Sequence, residues 1–221
     1  MQFRAKAGSC GSRRRPKTSE DVRLLCLTRA HVASYVRAME LLTWARCLSG
    51  QLLAEPLPRR WAHSQGVGHR AESLADFLGD DAELLAAAAW LHDIGYAPEL
   101  AKTGFHHLDG ARYLRDVAGA DLRLCSLVAH HSCACIEARH RGMHSALAEE
   151  FSPVSGLLTD ALTFSDMTTT PDGRLTDVED RLAEILDRYG DGTIVFDSIS
   201  EASPQIIDAA HKVSALMGAQ R

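Results

Sequence analysis

An apolar, alanine-rich segment that ends on two polar side chains constrains the fold of this chain more than any other feature. The segment Leu84–Leu91 contains only Leu, Ala and Trp, and His92 and Asp93 follow it directly. A helix that is apolar on every side has to be buried. With Gly95 and Pro98 as the expected stop signals, we predict a helix over residues 81–94 that carries an imidazole and a carboxylate into the protein interior.

Helical periodicity dominates the rest of the chain. Aromatic residues make up only 6% of the sequence, and Ala and Leu are abundant, which favours helices over strands. Apolar residues at steps of three and four predict helices over residues 60–78, 106–117, 121–131 and 154–168. A capping box from Thr176 to Glu179 predicts a further helix. Residues 190–196 are expected to form a short irregular or extended piece, with 193–196 as the strand candidate, and Ser203-Pro204 to begin a last helix. The expected fold class is therefore all-α.

A length of 221 residues suits one domain with a sizeable core. We predict four segments, which are a disordered basic tail over 1–20, an N-terminal helical extension over 21–58, a central helical domain over 59–170, and C-terminal helices over 171–221 packed on it. Met39 is an alternative start of the protein.

Charge and cysteine usage exclude several classes of protein. The net charge is −5, but the first twenty residues carry six Lys or Arg and one Glu, so the remaining chain is near −10. An acidic body argues against a nucleic-acid surface. The longest apolar run is too short to span a membrane, and no signal peptide opens the chain. Six cysteines without a CxxC pair are expected to be reduced thiols, which predicts a cytoplasmic protein.

The histidines suggest a metal site. Seven of the eleven fall between residues 63 and 131. Each buried polar group needs its own partner, and one metal centre satisfies several of them together. The candidates lie on, or at the ends of, separate predicted helices: His63, His92, Asp93, His106, His130 or His131, and Asp166.

The order of these motifs resembles the HD-domain superfamily of metal-dependent phosphohydrolases over roughly residues 60–170. The motifs are, in order, His63-Ser64-Gln65-Gly66-Val67, His92-Asp93-Ile94-Gly95, His106-His107-Leu108-Asp109-Gly110-Ala111, His130-His131-Ser132 and Asp166-Met167-Thr168. The resemblance implies an HD-domain helical bundle with a buried dinuclear metal site.

The resemblance also implies a role for each motif. His63, His92, Asp93 and Asp166 would hold a first metal, and Asp93, the catalytic residue, would bridge to a second metal held by His106. The pair His130-His131 would supply the remaining ligand, and both residues are kept as candidates. His107 is the alternative to His106 as a ligand of the second metal, and its other possible role is to cap the helix.

A ligand set rich in histidine favours two divalent transition metals, with Fe, Mn, Zn, Co and Ni as candidates. Carboxylates from Asp109, Glu72 or Glu137 are candidates to orient the histidines.

The resemblance implies hydrolysis of a phosphate ester or anhydride by a metal-bound hydroxide. The expected substrate is a small phosphorylated molecule such as a nucleotide, and the sequence leaves homo-oligomerisation open. Many relatives have lysine where this chain has Tyr96, and Lys102 or Arg112 are candidates to supply that charge.

Three other interpretations remain at this point. The same ligands would serve a mixed-valent di-iron oxygenase, and the missing lysine would suit a non-catalytic metal-binding regulator. A separate zinc site is the third alternative, although cysteines one residue apart are unusual for such sites. Its ligands would come from Cys133, Cys135, His130, His131, His140 and His144.

Overall fold

The protein is a bundle of α-helices, as the sequence predicts. The computed structural model describes residues 41–219, so the predictions for residues 1–40, including Met39, lie outside the described residues. Within that range the β pairing is confined to an isolated bridge between Thr169 and Leu175. The helices in chain order are α1 (Leu41–Leu53), α2 (Pro58–Glu72), α3 (Ala75–Leu78), α4 (Ala82–Leu91), α5 (His106–Tyr113), α6 (Leu122–His130), α7 (Ala134–His140), α8 (His144–Glu150), α9 (Leu157–Met167), α10 (Val178–Tyr189) and α11 (Ile194–Gly218).

Helix α4 lies at the centre of the bundle. Every side chain from Leu85 to Leu91 is buried, and the helix packs against α1, α2, α6 and α9. It ends at Leu91, earlier than predicted, and a short 3-10 turn over Ile94–Tyr96 follows. Because all sides of α4 are covered, its last turn delivers His92 and Asp93 into the interior.

A glycine lets α2 approach this central helix closely. A Cβ atom at Gly68 would lie 2.4 Å from the indole of Trp90, so a larger residue would push the two helices apart. The indole nitrogen of Trp90 donates a hydrogen bond of 2.8 Å to Glu72, also on α2. This contact fixes α2 against α4, and with it the position of His63 relative to His92.

Two predictions near the C-terminal end of the chain are wrong. Residues 194–196 belong to α11 rather than to an extended piece, and the side chain of Thr193 caps the helix by accepting a hydrogen bond from the backbone N–H of Phe196. The helix then continues through Pro204. Packing against α9, α10 and α7 outweighs the loss of one backbone hydrogen bond at proline. Neither α11 nor any other helix between residues 41 and 219 is long and apolar enough to cross a membrane.

Other boundaries also differ from the prediction. The polar segment 132–153 contains α7 and α8, whose few buried residues do not produce a clear apolar stripe. The predicted capping box does not form, because Asp177 is the residue that precedes α10 and its side chain makes no capping hydrogen bond. The helix predicted over residues 60–78 is divided after Glu72 into α2 and α3.

Candidate metal centre

Six buried side chains from five parts of the bundle meet below a cleft. They come from the middle of α2, the ends of α4 and α9, the start of α5 and the turn after α6. The side chains are His63, His92, Asp93, His106, His131 and Asp166. Within the described residues, three groups have ligand atoms that all lie within 4.8 Å of one another: His63 with His92 and Asp93, His92 with His131 and Asp166, and His106 with His107 and His131.

The first part of the cluster is arranged around two carboxylates. His63 Nε2 lies 3.0 Å from Asp166 Oδ1 and 3.8 Å from Asp93 Oδ2. His92 Nε2 lies 3.3 Å from Asp93 Oδ2 and 3.8 Å from Asp166 Oδ1. It is fully buried and has no hydrogen-bond partner among the described residues. A buried nitrogen without a partner is unfavourable in a protein interior, and a cation bound between these groups would satisfy it.

The other oxygen of Asp93 faces a second set of histidines. Asp93 Oδ1 lies 3.4 Å from His106 Nε2, which is 3.3 Å from His131 Nε2. One carboxylate therefore presents its two oxygens to two different groups of potential ligands. A carboxylate that bridges two metal ions has this arrangement, and the donor set of imidazoles and carboxylates suits divalent transition metals.

Backbone carbonyls orient three of the imidazoles. The Nδ1 atoms of His92 and His131 each donate to the carbonyl three residues earlier in their helices, Ala89 and Val128, at 2.7 Å. His63 Nδ1 lies 3.1 Å from the carbonyl oxygen of Thr170. Each bond leaves Nε2 free to bind a cation.

The carboxylates expected to orient the histidines mostly have other roles. Asp109 accepts hydrogen bonds from the backbone N–H groups of Lys102 and Thr103, and Glu72 bonds to Trp90 and Arg46. Glu137 alone of the three lies near a candidate histidine, with Oε2 3.7 Å from Nε2 of His107, which neighbours His106 and His131.

Gly95 holds the two parts of the cluster together. A Cβ atom at this position would lie 1.9 Å from the carbonyl oxygen of His106 and 2.7 Å from the backbone nitrogen of Gly110. The turn after Asp93 therefore lies directly on the first turn of α5. The sequence predicts Gly95 as a helix stop, whereas the structure shows that the residue is needed for this close approach.

The charges inside the cluster favour the binding of a cation. Burial and the neighbouring histidines lower the pKa values of His106 and His131 well below their usual range. Both imidazoles are therefore neutral and can offer a nitrogen lone pair to a metal ion. Burial opposes ionisation of Asp93, but Arg60 and His92 outweigh it and hold the pKa of that carboxyl well below its ordinary value. Burial likewise opposes the charged form of His92, yet Asp93 and Asp166 raise its pKa to about 9. This marks a region where positive charge is favourable.

Of the two neighbouring histidine candidates, His131 lies in the cluster and His130 does not. His130 Nε2 is 2.8 Å from the carbonyl oxygen of Phe151, and the structure does not bring this residue to the other candidate ligands. His107 does lie with them, because its Nδ1 is 3.1 Å from His131 Nδ1. It does not cap α5, which begins after Phe105 without a side-chain cap.

Sequence reasoning missed Arg60 and Ser132. Arg60 Nη1 donates to Asp93 Oδ2 at 2.7 Å, and its guanidinium lies 4.0 Å from the ring centroid of Tyr96. Tyr96 also stacks on His106, with ring centroids 4.0 Å apart. Arg60 precedes His63 by one helical turn, and this spacing places both on one face of α2. Ser132 Oγ donates to Asp166 Oδ2 at 2.5 Å, and no sequence pattern signals that contact.

A cleft opens over the cluster. Its inner cavity, of about 90 Å³, is lined by residues of the cluster together with Arg60, Tyr96, Arg181 and Arg188. Lys102 and Arg112, the predicted substitutes for the missing lysine, do not line it, and Arg112 bonds to Glu150 instead. Arg60 beside Tyr96 therefore supplies positive charge at this point of the cleft.

Comparison with known proteins gives one match. Residues 60–190, more than half of the chain, match a family model described as HD domain. The comparisons with curated proteins and with solved structures give no significant match. The matched range includes every residue of the cluster and the helix α10 that covers the cleft.

Proposed function

This chain belongs to the HD-domain family, and on that premise we propose that it is a metal-dependent phosphohydrolase acting on a small phosphate ester or anhydride. The observation that carries the proposal is the position of Asp93, whose two oxygens face His92 on one side and His106 on the other. His63, His92, Asp93 and Asp166 would hold one ion, and Asp93, His106 and His131 a second. Transition metals bound there would polarise a phosphoryl oxygen and lower the pKa of a water molecule.

The side chains around the cluster have roles of their own in this reaction. Arg60 and His92 hold Asp93 ionised, so its carboxylate is available as a metal ligand. Arg60 uses one guanidinium nitrogen on Asp93 and has other N–H groups in the cleft for phosphoryl oxygens. The stacking of Tyr96 beside Arg60 and His106 restricts both side chains, which favours a fixed orientation of the substrate.

The test compares Asp93→Asn with Asp80→Asn, an equivalent change at an exposed position in the turn before α4. Both proteins are assayed for bound metal and for phosphate release from a panel of phosphate esters and nucleotides, with several metals. We expect Asp93→Asn to lower activity by more than about 100-fold, beyond the effect typical of residues that only support ligands. Asp80→Asn should match the wild type.

Two outcomes would contradict the proposal. Equal inactivity of wild type and Asp93→Asn across the panel would favour a regulatory protein. Oxygen uptake coupled to loss of substrate in an iron-loaded sample would favour an oxygenase.

A further inference from the structure

A second and larger cavity adjoins the cluster of candidate metal ligands. Its volume is about 330 Å³, and it shares Arg60, His63, Arg181 and Arg188 with the inner cavity. The outer cavity therefore continues the cleft away from the cluster. Its remaining wall comes from the turn before α2, from the first turn of α2, which includes Arg59, and from Pro171 after α9.

The lining of the outer cavity carries four arginines and no acidic residue among the described side chains. Each arginine has a carboxylate partner elsewhere. Arg59 bonds to Asp172 at 2.9 Å, and Arg60 to Asp93. Arg181 and Arg188 share Glu184, one turn away on α10. The part of α10 that lines the cavity consists of these two arginines, which share a single carboxylate partner.

Arg181 is the unusual member of this set. It is only 6% exposed, whereas arginine is rarely buried to this extent without full pairing. Its Nη1 donates to Glu184, but its Nε has no hydrogen-bond partner in the described structure. A buried donor without a partner is unfavourable. Because Arg181 lines both cavities, an anion in the cleft would be within reach of its guanidinium.

We propose that the outer cavity binds a second phosphate group of the substrate, between Arg181 and Arg188. This inference rests on the proposed function and deepens it, because it makes the substrate class a small molecule with two phosphate groups. The phosphate group to be hydrolysed would lie over the cluster of candidate metal ligands, beside Arg60. The second phosphate group would be held in the outer cavity. Guanidinium groups suit this task because their planar N–H pairs match phosphate oxygens.

The rest of the outer wall fits the part of the molecule between the two phosphates. Pro56, Leu57, Pro58 and Pro171 line the cavity beside the arginines. These side chains offer apolar surface and no side-chain donors, so they would cover the carbon skeleton of a sugar or a base without competing for the phosphate.

The first test measures binding of inorganic phosphate to the full-length, metal-containing protein by calorimetry. Arg181→Gln removes the charge and should weaken phosphate binding in the outer cavity by about tenfold or more, as expected for the loss of charge-assisted hydrogen bonds. Glu184→Gln removes the competing carboxylate and should tighten binding by about twofold or more. Arg123→Gln, which breaks an exposed ion pair with Asp81 away from the cleft, is the control.

The opposite changes in phosphate affinity expected for these two variants separate a binding role of Arg181 from a structural one. Both Arg181→Gln and Glu184→Gln break the same ion pair on α10, so a purely structural role would shift phosphate binding in the same direction in both variants. That result, or equal effects of Arg181→Gln and Arg123→Gln, would overturn the inference.

A second test separates this inference from the proposed function. Phosphate binding that depends on Arg181 should persist in Asp93→Asn, because the outer cavity does not include Asp93. If no phosphohydrolase activity is found but this binding persists, the reaction is wrong and the anion site stands. With an active enzyme, Arg181→Gln should raise KM for a sugar bisphosphate about tenfold while changing KM for the matching monophosphate little. Equal changes for both substrates would refute the second phosphate site.

Discussion

Two neighbouring histidines, His130 and His131, belong to regions with different properties. His131 is 2% exposed and lies among His92, His106 and His107. His130 is partly exposed and its ring bonds to a backbone carbonyl of the segment after α8. His131 belongs to a set of candidate metal ligands that a bound cation would stabilise. His130 makes an ordinary hydrogen bond to the backbone. Residue type and position in the sequence are nearly identical, so the difference comes from the backbone.

The backbone changes direction between these two residues. His131 has an extended conformation, with φ −60° and ψ 153°, where α6 ends. Ser132 and Cys133 then have positive φ values of 47° and 63°, which are uncommon for residues other than glycine. Such strain persists where the surrounding structure fixes it, often at functional sites. Here it turns His131 and Ser132 towards the cluster.

The largest expected effect is the difference in metal affinity between His131→Ala and His130→Ala. His131→Ala should lower metal affinity by more than about 100-fold, since it removes a candidate ligand rather than a supporting group. His130→Ala should leave bound metal unchanged and lower the free energy of unfolding by about 0.5–1.5 kcal/mol, through loss of one hydrogen bond. Metal analysis after equilibrium dialysis and denaturant unfolding measure the two effects. Equal loss of metal in both variants would contradict the contrast.

Ser132→Ala sharpens the comparison by testing a residue that supports a ligand. Its hydroxyl bonds to Asp166 Oδ2, and loss of such a contact should lower metal affinity by about 10–100-fold while leaving the fold intact. Competition with a metal chelator of known affinity gives the value. Ser145→Ala, an exposed position on α8, is the control. A variant that binds metal as tightly as wild type would show that the hydroxyl does not orient Asp166.

The stability of the region around His130 should depend on pH because of Glu150. Hydrogen bonds from Arg112 and Arg115 lower the pKa of Glu150 below its ordinary value of 4.5. The stabilising contribution is therefore complete above about pH 4.5 and is lost as the pH falls through the lower, folded-state pKa. Glu150→Gln should reduce the free energy of unfolding by less than about 1 kcal/mol near pH 7. The difference from wild type should shrink in acid, and unfolding curves across this range would show whether it does.

Double substitution of Cys133 and Cys135 by Ser should have the smallest effect. Cys133 Sγ contacts Gln205, and Cys135 is exposed. Neither thiol belongs to a described group of potential metal ligands, so the rival zinc interpretation has no geometric support among residues 41–219. Metal content should equal that of the wild type. A lower zinc content in the double variant would restore the rival interpretation.

The sequence predicts the fold class and most of the cluster because both depend on local patterns. The apolar run before His92 predicts a buried helix, and α4 is buried on all sides from Leu85 to Leu91. His63 and Asp166 stand on apolar faces of their helices, which predicts that they point inward. These inferences need only helical periodicity and the cost of burying polar groups.

The parts that the sequence does not predict depend on long-range packing. Ser132 faces Asp166 only because two residues adopt left-handed conformations. Arg181 enters the cleft because α10 packs over it, and no local pattern shows this. Pro204 indicates a helix start by propensity, yet contacts with neighbouring helices keep α11 continuous.

The contact between His63 and Asp166 links residues that are 103 positions apart in the chain. The cluster can therefore form only when α9 is docked on α2, which closes the long segment that connects them. A metal that binds this arrangement and not the unfolded chain would act as a removable cross-link between the two ends of the domain. At a concentration 100 times its dissociation constant it would add about 2.7 kcal/mol to the free energy of unfolding. Metal supply would then control how long the protein survives proteolysis as well as whether it is active.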